Sequence, residues 1–520
     1  MTTLAGIRAA SGSRTASRPR LAAATKAPGP AEVPGALPGS SVLRAGTARG
    51  PTKSWVQSWA GTLVWIMVAA AAFHAAYASA NASLLAVLYF FALLQLAQAD
   101  QWRKAFYSGL AVGLLIALVR LQFFWRLFSG GAVALWLVYA FWIGLFVALA
   151  RLCLVRFGTK WVWLLIPFVW TGLEYFRSEL YYLRFSWLNA GYAFIGAPWQ
   201  PVLKLTGVYG AVFLLMSIAA GAAYLWQKSR IQSLGLLVLG AVGICLGGLL
   251  CGQESSSRSL AKVRVAGVQM EFPTEREVLF RLNDLVHSYP QTELVVLSEY
   301  TFGEPVPQAV RDWCRKNRRY LVVGGKDPAP GGNFYDTAFV IGPGGDIVFR
   351  QVKAVPIQFF KDGLPATEQR LWDSPWGKIG ICVCYDLSYT RVADRLVKLG
   401  AQALVVPTMD MADWGNAQHK LHAHIAPARA TEYGFPIFRV ASSGISQTVN
   451  RAGQVMASAP CPGDGATLAG MIEMRGVGKL PLDRRLAPFA TVVTAVVIVW
   501  LSIRRGGRKG PTRRKQGQEV

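Results

Sequence analysis

Long apolar segments constrain this chain more than any other feature of its sequence. An α-helix needs about 20 apolar residues to cross the ~30 Å hydrocarbon core of a bilayer. Segments of this kind recur at 57–77, 82–99, 106–124, 131–154, 160–176, 203–226, 233–252 and 487–503. Charged residues make up only 16% of the chain, against about 25% in soluble proteins. The sequence therefore predicts a polytopic α-helical membrane domain of about eight spans and excludes a fully soluble protein.

The distribution of positive charge predicts the orientation of these helices. A formal net charge of +26 would by itself suggest a nucleic-acid partner. Residues 1–54, however, contain eight basic residues and one acidic residue, and the segment from Ser502 contains seven and one. Lys and Arg collect on the cytoplasmic side of membrane proteins. We therefore predict that both termini are cytoplasmic and that nucleic acid is not a partner.

The same pattern predicts how the chain is divided. The composition of the N-terminal tail cannot bury a core, and the block before the last apolar segment is long enough for a globular domain. We predict a disordered basic tail (1–54), a transmembrane domain of about seven helices (55–253), an extracytoplasmic globular domain (254–482), a last transmembrane helix (483–503) and a basic cytoplasmic tail (504–520).

Short apolar strands alternate with helical patterns in the globular domain. Strands are predicted at 263–269, 293–298, 320–324, 339–341, 347–349, 378–384, 403–406 and 437–441. Helices are predicted at 274–288, 307–317, 391–399 and 419–432. This alternation indicates an α/β sandwich, in which functional groups collect beyond the carboxyl ends of the strands.

Three chemically complementary residues stand at such strand ends: Glu299, Lys353 and Cys384. A carboxylate can take the proton of a thiol, and an ammonium can stabilise both the thiolate and an oxyanion. The thiolate can then carry an acyl group as a thioester. Each residue alone has an ordinary structural explanation, so the prediction of a nucleophilic acyl-transfer site depends on the three together.

The remaining cysteines and histidines carry less information. Seven cysteines is an odd number, and Cys382 and Cys384 are too close along a strand for an ordinary disulfide, so we expect at least one free thiol outside the membrane. We interpret Cys382 as a core residue. His419, His422 and His424 lack an evident further metal ligand, and we interpret them as part of a polar helix near the site. We expect no metal and no cofactor.

Several segments of the globular domain resemble the nitrilase, or carbon–nitrogen hydrolase, superfamily. They are VRVAGVQM at 263–270, LSE ending at Glu299, GGDIVFRQVK ending at Lys353, ICVCYD around Cys384, ARATE at 428–432 and SGIS at 443–446. The apolar segments, together with WLNAGY at 187–192 and GVYG at 207–210, narrow the resemblance to the apolipoprotein N-acyltransferase family. It covers roughly residues 57–503.

The resemblance implies an α-β-β-α sandwich with Glu299, Lys353 and Cys384 as a catalytic triad. It also implies acyl transfer in two steps through a Cys384 thioester. The donor would be a phospholipid, and the acceptor the α-amino group of an apolipoprotein's diacylglyceryl-cysteine. The enzyme would lie in the bilayer of a bacterial inner membrane, with its catalytic domain on the periplasmic face.

The sequence departs from this family in the loop after the lysine. The family usually has x-His-Leu-Val-Pro-Phe-Gly-Glu there, whereas Lys353 is followed by Ala-Val-Pro-Ile-Gln-Phe-Phe. The assisting carboxylate is therefore missing, and Gln358 and Asp362 are its nearest replacements. Tyr385 and Asp386 follow the nucleophile, with Asp386 where the family has Glu; we expect all four to support the site or bind substrate.

Two other functions use the same features. A membrane-tethered amidase could use the triad to hydrolyse a small soluble amide, with water as the acceptor. A transporter or receptor could retain a nitrilase-like domain without activity, but such proteins tend to place charged or broken helices at mid-membrane. The apolar segments here contain only scattered candidates such as His74 and Arg151.

Overall fold

The computed structural model describes residues 58–252 and 261–503; the predicted tails, 1–54 and 504–520, lie outside the described residues. An α-helix lies at each of the eight predicted apolar segments, and a short helix follows the third. In chain order these helices are α1 (Trp59–Ala78), α2 (Ala86–Leu96), α3 (Trp102–Arg120), α4 (Phe123–Phe128), α5 (Gly131–Phe157), α6 (Thr159–Tyr175), α7 (Leu203–Trp226), α8 (Arg230–Gly252) and, at the far end of the chain, α14 (Asp483–Ile503).

Six helices in the described ranges are long and apolar enough to cross a membrane: α1, α3, α5, α7 with its preceding turn, α8 and α14. Helix α2 has 11 residues, although a 3₁₀ helix at Ala80–Leu85 leads into it, and α6 has 17. The predicted helical membrane domain is confirmed, with six helices of full spanning length where the sequence indicated about eight spans.

Glycines allow α3 and α5 to approach each other closely. A Cβ atom at Gly113 would lie 2.5 Å from Cα of Ala140, and one at Gly144 would lie 2.9 Å from the carbonyl oxygen of Phe106. Small residues at helix contacts are a common basis of packing in membranes, where the hydrophobic effect between helices is weak. Gly113 and Gly144 thus let the two helices pack backbone against backbone.

Helix α7 is interrupted at Gly207, whose φ of 68° lies in the left-handed region. A side chain there would overlap Asp483, since a Cβ atom would lie 2.1 Å from its Oδ2. The helix resumes at Val208, whose N–H donates to Oε1 of Glu432 at 2.8 Å, and the N–H of Tyr209 donates to Oδ2 of Asp483 at 3.0 Å. Carboxylates from the globular domain and from α14 thus cap a membrane helix.

The globular domain contains two six-stranded sheets with central parallel strands and antiparallel edges. The first has the order β12-β1-β2-β3-β4-β5 and the second the order β11-β10-β9-β8-β7-β6. The strands are β1 (Ala261–Val268), β2 (Leu294–Val296), β3 (Tyr320–Pro328), β4 (Phe334–Ile341), β5 (Ile347–Val352), β6 (Leu371–Ser374), β7 (Gly377–Ile381), β8 (Ala403–Thr408), β9 (Ile437–Ala441), β10 (Gln447–Val449), β11 (Val455–Ser458) and β12 (Thr467–Met474).

Side-chain alternation along the strands produces the layers. In β2, Leu294 and Val296 pack in the same core as Ile379 and Leu404 of the second sheet, whereas Val295 faces the opposite side. On that side the first sheet packs against α9 and α10. The helices of this domain are α9 (Glu275–Ser288), α10 (Gln308–Asn317), α11 (Thr390–Leu399), α12 (Asn416–Ala423) and α13 (Ile425–Tyr433). The predicted α-β-β-α sandwich is confirmed.

One predicted helix is wrong in detail. The pattern at 419–432 predicted a continuous helix, but the chain forms α12 and α13, which are separated at His424. Pro427 has no N–H to donate to the carbonyl of Ala423, so a continuous helix would lose a hydrogen bond there. As the third residue of α13, Pro427 occupies a position where no intrahelical donor is needed.

Candidate active site

Glu299 lies just beyond the carboxyl end of β2 and is buried. Its Oε1 accepts a hydrogen bond from Nζ of Lys353 at 2.6 Å, and its Oε2 accepts one from the N–H of Met409 at 2.6 Å. Burial opposes ionisation, but the charge of Lys353 outweighs it and holds the pKa of Glu299 below its usual value. At neutral pH this group is therefore a carboxylate, as a general base must be.

Lys353 follows β5, and its side chain is fully buried. Its Nζ lies 2.6 Å from Glu299, 2.7 Å from Asp362 and 3.3 Å from Asp336. Burial disfavours the charged form, but the carboxylates of Glu299 and Asp362 keep the pKa of Lys353 well above its usual value. The three acids have the donor atoms of a metal site, and the ammonium of Lys353 supplies the cation among them.

Asp336, a fully buried residue of β4, also belongs to this group and was not predicted from the sequence. Burial, and then the charge of Glu299, raise its pKa well above the usual value. Of the acids around Lys353, Asp336 is thus the one whose surroundings most favour the protonated form. An isolated Asp in the apolar strand Phe334–Ile341 was the only signal that could have indicated it.

The sequence predicted Cys384 at the end of a strand, but this residue lies in the turn that follows β7. The strand ends at Ile381, and Cys384 begins a 3₁₀ turn with φ of 50°, in a region that side-chain-bearing residues rarely adopt. Its thiol is buried and contacts the carbonyl oxygen of Met409 at 3.6 Å. Burial, and then the charge of Glu299, raise the pKa of the thiol well above its usual value. The thiol therefore needs a base before it can act as a nucleophile.

Asp386 joins the segment after Lys353 to the turn that carries Cys384. Its carboxylate accepts N–H hydrogen bonds from Ala354 at 3.0 Å, Val355 at 2.8 Å and Val383 at 3.3 Å. Burial raises the pKa of Asp386 to about 6, and these donors act in the opposite direction. Asp386 thus connects the segment after Lys353 to the turn of Cys384 through backbone hydrogen bonds.

The other three predicted supporting residues lie in different places. Asp362 contacts the ammonium of Lys353 and also accepts hydrogen bonds from the hydroxyl of Tyr300 at 2.8 Å and the N–H of Ile357 at 2.7 Å.

Gln358 points away from that cluster, since its amide donates to the carbonyl of Tyr182 at 3.2 Å. The hydroxyl of Tyr385 donates to the carbonyl of Arg184 at 3.4 Å. Of the two candidate replacements for the missing carboxylate, the structure brings only Asp362 to Lys353.

Two pockets meet at this centre. The first, here called the apolar pocket, includes Cys384 and is lined mainly by membrane-domain residues, among them Leu121, Phe124, Leu135, Val138, Trp142 and Trp187. The second, here called the polar pocket, includes Glu299, Lys353, Asp362, Lys326 and Lys361. Ile357, Phe360 and Trp414 line both. The thiol of Cys384 therefore lines a pocket formed mainly by the membrane domain, whereas the charged residues line the polar pocket.

Two facing sheets with a buried Glu, Lys and Cys at their strand ends define a carbon–nitrogen hydrolase domain, here joined to a helical membrane domain. Two family models match the chain: Carbon-nitrogen hydrolase at residues 281–475, and Apolipoprotein N-acyltransferase N-terminal domain at residues 67–221. The chain belongs to the apolipoprotein N-acyltransferase family, within the nitrilase superfamily.

Two curated relatives illustrate the similarity. An apolipoprotein N-acyltransferase of Shewanella oneidensis is 25% identical, with 69% of this chain and 78% of that protein covered. One of Bordetella bronchiseptica is 26% identical, with 78% and 85% covered. Among solved structures, a branch 10 nitrilase superfamily member from Saccharomyces cerevisiae is 18% identical with a TM-score of 0.37, and the match covers 50% of this chain and all of that one.

Proposed function

We propose that this protein transfers an acyl chain from a phospholipid to the α-amino group of the diacylglyceryl-cysteine at the N-terminus of an apolipoprotein. The observation that carries the proposal is the position of Cys384 in the lining of an apolar pocket, most of whose lining residues come from α4, α5 and other segments of the membrane domain. A thiol that acts on small soluble amides has no need of a pocket lined by membrane helices. A thiol that acts on lipid esters needs such a pocket, because the acyl chain of its substrate lies in the bilayer.

In the first half-reaction Cys384 attacks the ester carbonyl of the phospholipid. Glu299 takes the thiol proton as the carbon–sulfur bond forms, and Lys353 stabilises the negative charge that develops on the carbonyl oxygen. The ester carbon–oxygen bond then breaks, and Glu299 returns the proton to the departing oxygen. A lysophospholipid leaves, and the acyl group remains on Cys384 as a thioester.

In the second half-reaction the neutral amine of the acceptor attacks the thioester carbonyl. Glu299 accepts a proton from the attacking nitrogen, the carbon–sulfur bond breaks, and the proton passes to the Cys384 sulfur. The product is an amide, and the thiol is regenerated. Both substrates are anchored by lipid chains, so each can enter the same apolar pocket in turn.

We also propose that the catalytic domain is periplasmic and that both termini are cytoplasmic, with the domain boundaries predicted from the sequence. Helix α8 leads into the globular domain at its C-terminal end, so Lys228 and Arg230 lie at the remote end. Helix α4 packs near the globular turn at Ala412–Trp414, so Arg103 and Lys104, at the start of α3, are also remote. The positive-inside rule places those remote ends in the cytoplasm.

Mass spectrometry on the purified full-length chain tests the proposed function directly. Incubation with phospholipid vesicles alone should add one acyl mass to the peptide containing Cys384, in a linkage that hydroxylamine cleaves. Addition of a diacylglyceryl-cysteinyl peptide should then discharge it as an amide. An amidase that acts on small soluble substrates would form no such adduct from phospholipid, and its absence would contradict the proposal.

Enlarging a side chain of the apolar pocket should change the acyl chain that is accepted. Val138 on α5 is half-buried and lines the pocket, so Val138→Trp should fill space that the donor's chain needs. We expect thioester formation from long-chain phospholipid to fall about 10-fold, the discrimination that a few misfitting methylenes produce. Short-chain phospholipid should be affected much less, as measured by initial rates of thioester formation.

Leu137→Trp is the matched control for this variant. Leu137 is the preceding residue on α5, is 44% exposed, and does not line the pocket. The control should treat long and short chains as the unsubstituted protein does. If both variants discriminated equally against long chains, or if neither did, the apolar pocket would not be the site that holds the acyl chain.

Removing the charge of Asp362 should lower activity. Asp362→Asn weakens the ion pair with Lys353 and loses an acceptor for the loop N–H of Ile357, so both the ammonium and the loop lose part of their support. We expect kcat to fall by about 10- to 100-fold, as for supporting residues around other polar centres. Gln358→Ala, in the same loop but away from Lys353, should have a smaller effect on kcat. The opposite ranking would identify Gln358 as the assisting group.

A further inference from the structure

A second acid–base pair, His422 and Asp410, lies beside Cys384. His422 is buried, and its ring lines the apolar pocket together with Cys384. Asp410 is fully buried and directly follows Met409, whose carbonyl contacts the thiol of Cys384 and whose N–H binds Glu299. The pair is therefore attached to the same short segment as the reaction centre.

The hydrogen bonds of this pair fix which nitrogen of His422 is available. Nδ1 lies 2.8 Å from Oδ1 of Asp410, and the other carboxylate oxygen accepts from Arg439 at 2.5 Å. Nδ1 also lies 3.1 Å from Nη2 of Arg439, which can only donate but which already donates to Asp410. A lone pair on Nδ1 would be repelled by the carboxylate oxygen at 2.8 Å, so the shorter contact assigns the proton to Nδ1 and the free lone pair to Nε2. Within residues 58–252 and 261–503, Nε2 of His422 has no hydrogen-bond partner, and its ring borders the pocket.

Neighbouring groups hold the ring in one orientation. The indole of Trp187 stacks on it, with ring centroids 4.8 Å apart and planes 17° apart. Trp187 is itself fixed, because its Nε1 donates to the hydroxyl of Ser388 at 2.8 Å. Gln418 donates to Asp410 at 2.9 Å and helps to keep that carboxylate in place. The arrangement is that of a preorganised base rather than of a mobile surface histidine.

Proton balance indicates a task for such a base. The first half-reaction exchanges an ester and a thiol for a thioester and an alcohol, and releases no net proton. The second begins with an ammonium, since an α-amino group has a pKa of about 7.7–8.0, and ends with an amide and a thiol. One proton passes through Glu299 to the Cys384 sulfur, and one more must leave before the nitrogen can attack.

We infer that Nε2 of His422 takes this extra proton from the α-ammonium group of the acceptor and thereby acts as a second catalytic base, specific to the amide-forming half-reaction. The nitrogen–hydrogen bond of the ammonium breaks, its electron pair becomes the nucleophile, and the imidazolium later releases its proton to water. This inference rests on the proposed function. The inference adds to the proposed function a second base that serves only the amine acceptor.

The electrostatic surroundings suit this task. Burial, and then Arg439, lower the pKa of His422, whereas Asp410 and Glu299 raise it; the balance keeps the ring neutral and able to accept a proton at neutral pH. The ionisable groups that face it are Asp410, Arg439, Glu299, Cys384, Tyr385, Arg177 and Arg184. An ammonium in the pocket would bring its proton to a base whose partner, Asp410, stabilises the resulting imidazolium.

The test separates the two half-reactions in the full-length protein with the variant His422→Gln. The donor is a vesicle of phosphatidylethanolamine and phosphatidylglycerol, and the acceptor is a diacylglyceryl-cysteinyl peptide. Thioester formation should stay within about 3-fold of the unsubstituted rate, whereas discharge to the peptide at pH 7 should slow about 10²-fold, within the usual range for a general base. The defect should shrink towards none above pH 9, where the amine arrives neutral.

A second acceptor and two further variants make the result specific. Hydroxylamine is already neutral at pH 7 and should discharge the His422→Gln thioester normally. Asp410→Asn favours the proton on Nε2 and should reproduce the selective defect. His424→Gln, two residues further along and outside the pocket, is the matched control and should behave as the unsubstituted protein does.

Three results would overturn the inference. The first is a defect in discharge that is the same at every pH, and the second is normal discharge by both His422→Gln and Asp410→Asn. The third is loss of thioester formation along with discharge in both variants, which assigns the pair a structural role. Failure of the unsubstituted protein to form a thioester from phospholipid would instead refute the proposed function, and the inference with it.

Discussion

Replacing Cys384 with alanine is expected to abolish acyl transfer. The thiol is the atom to which the acyl group would be attached, and neither Glu299 nor Lys353 can replace a nucleophile. We expect the rate of N-acylation to fall by about 10⁴-fold or more, as when other enzymes lose a nucleophile. The measurement is the rate of amide formation on a diacylglyceryl-cysteinyl peptide, with the acyl mass on the Cys384 peptide followed in parallel.

Cys382→Ala is the control for this variant. Cys382 is also buried and lies two residues away, but it lines neither pocket. It should keep thioester formation within a few-fold of the unsubstituted rate and lose only a modest amount of packing energy. If Cys384→Ala kept its N-acylation activity while Cys382→Ala lost it, the nucleophile would be assigned to the wrong cysteine.

The second large effect is expected from Glu299→Gln. The amide cannot take the thiol proton, and burial keeps the pKa of Cys384 high, so the thiol stays protonated at neutral pH. Thioester formation should fall about 10³-fold at pH 7, in the middle of the usual range for a lost general base. Because hydroxide can replace the base as pH approaches the pKa of the thiol, the deficit should narrow in alkaline solution.

The pH dependence distinguishes a lost base from a disturbed fold. A structural defect would lower the rate by the same factor from pH 7 to pH 10, and that outcome would contradict the role proposed for Glu299. Glu293→Gln is the matched control, since Glu293 is half-buried directly before the same strand and its carboxylate accepts the N–H of Arg264 at 3.0 Å. It should leave the pH profile of thioester formation unchanged.

The residues of the site could be predicted from the sequence because each follows an apolar strand. Glu299 and Lys353 lie where the pattern of β2 and β5 places them, and burial then brings their side chains together. Cys384 was placed correctly along the chain but not in its backbone conformation, because a positive φ leaves no trace in the hydrophobic pattern. The left-handed turn after Ile381 is set by tertiary contacts such as those of Asp386.

Contacts between distant parts of the chain were beyond sequence reasoning. Asp362 and Gln358 were equivalent in sequence, and only the path of the loop after Lys353 separates them. Asp336 and the pair formed by Asp410 and His422 depend on which strand ends lie side by side. Strands β6, β10 and β11 were missed because segments of three or four residues show no distinctive periodicity, and the eight-residue β12 was missed because its polar and apolar residues do not alternate regularly.

The capped break in α7 has a consequence for how such a protein can evolve and be engineered. Glu432 stabilises the resumed membrane helix through Val208 and pairs with Arg429 at 2.5 Å and Arg484 at 3.1 Å. Separating the two halves would deprive the N–H of Val208 and the guanidinium of Arg484, both in the membrane half, of the carboxylate of Glu432. The hydrolase-like half is therefore not an interchangeable module on a membrane anchor, and each half supplies part of the other's interior.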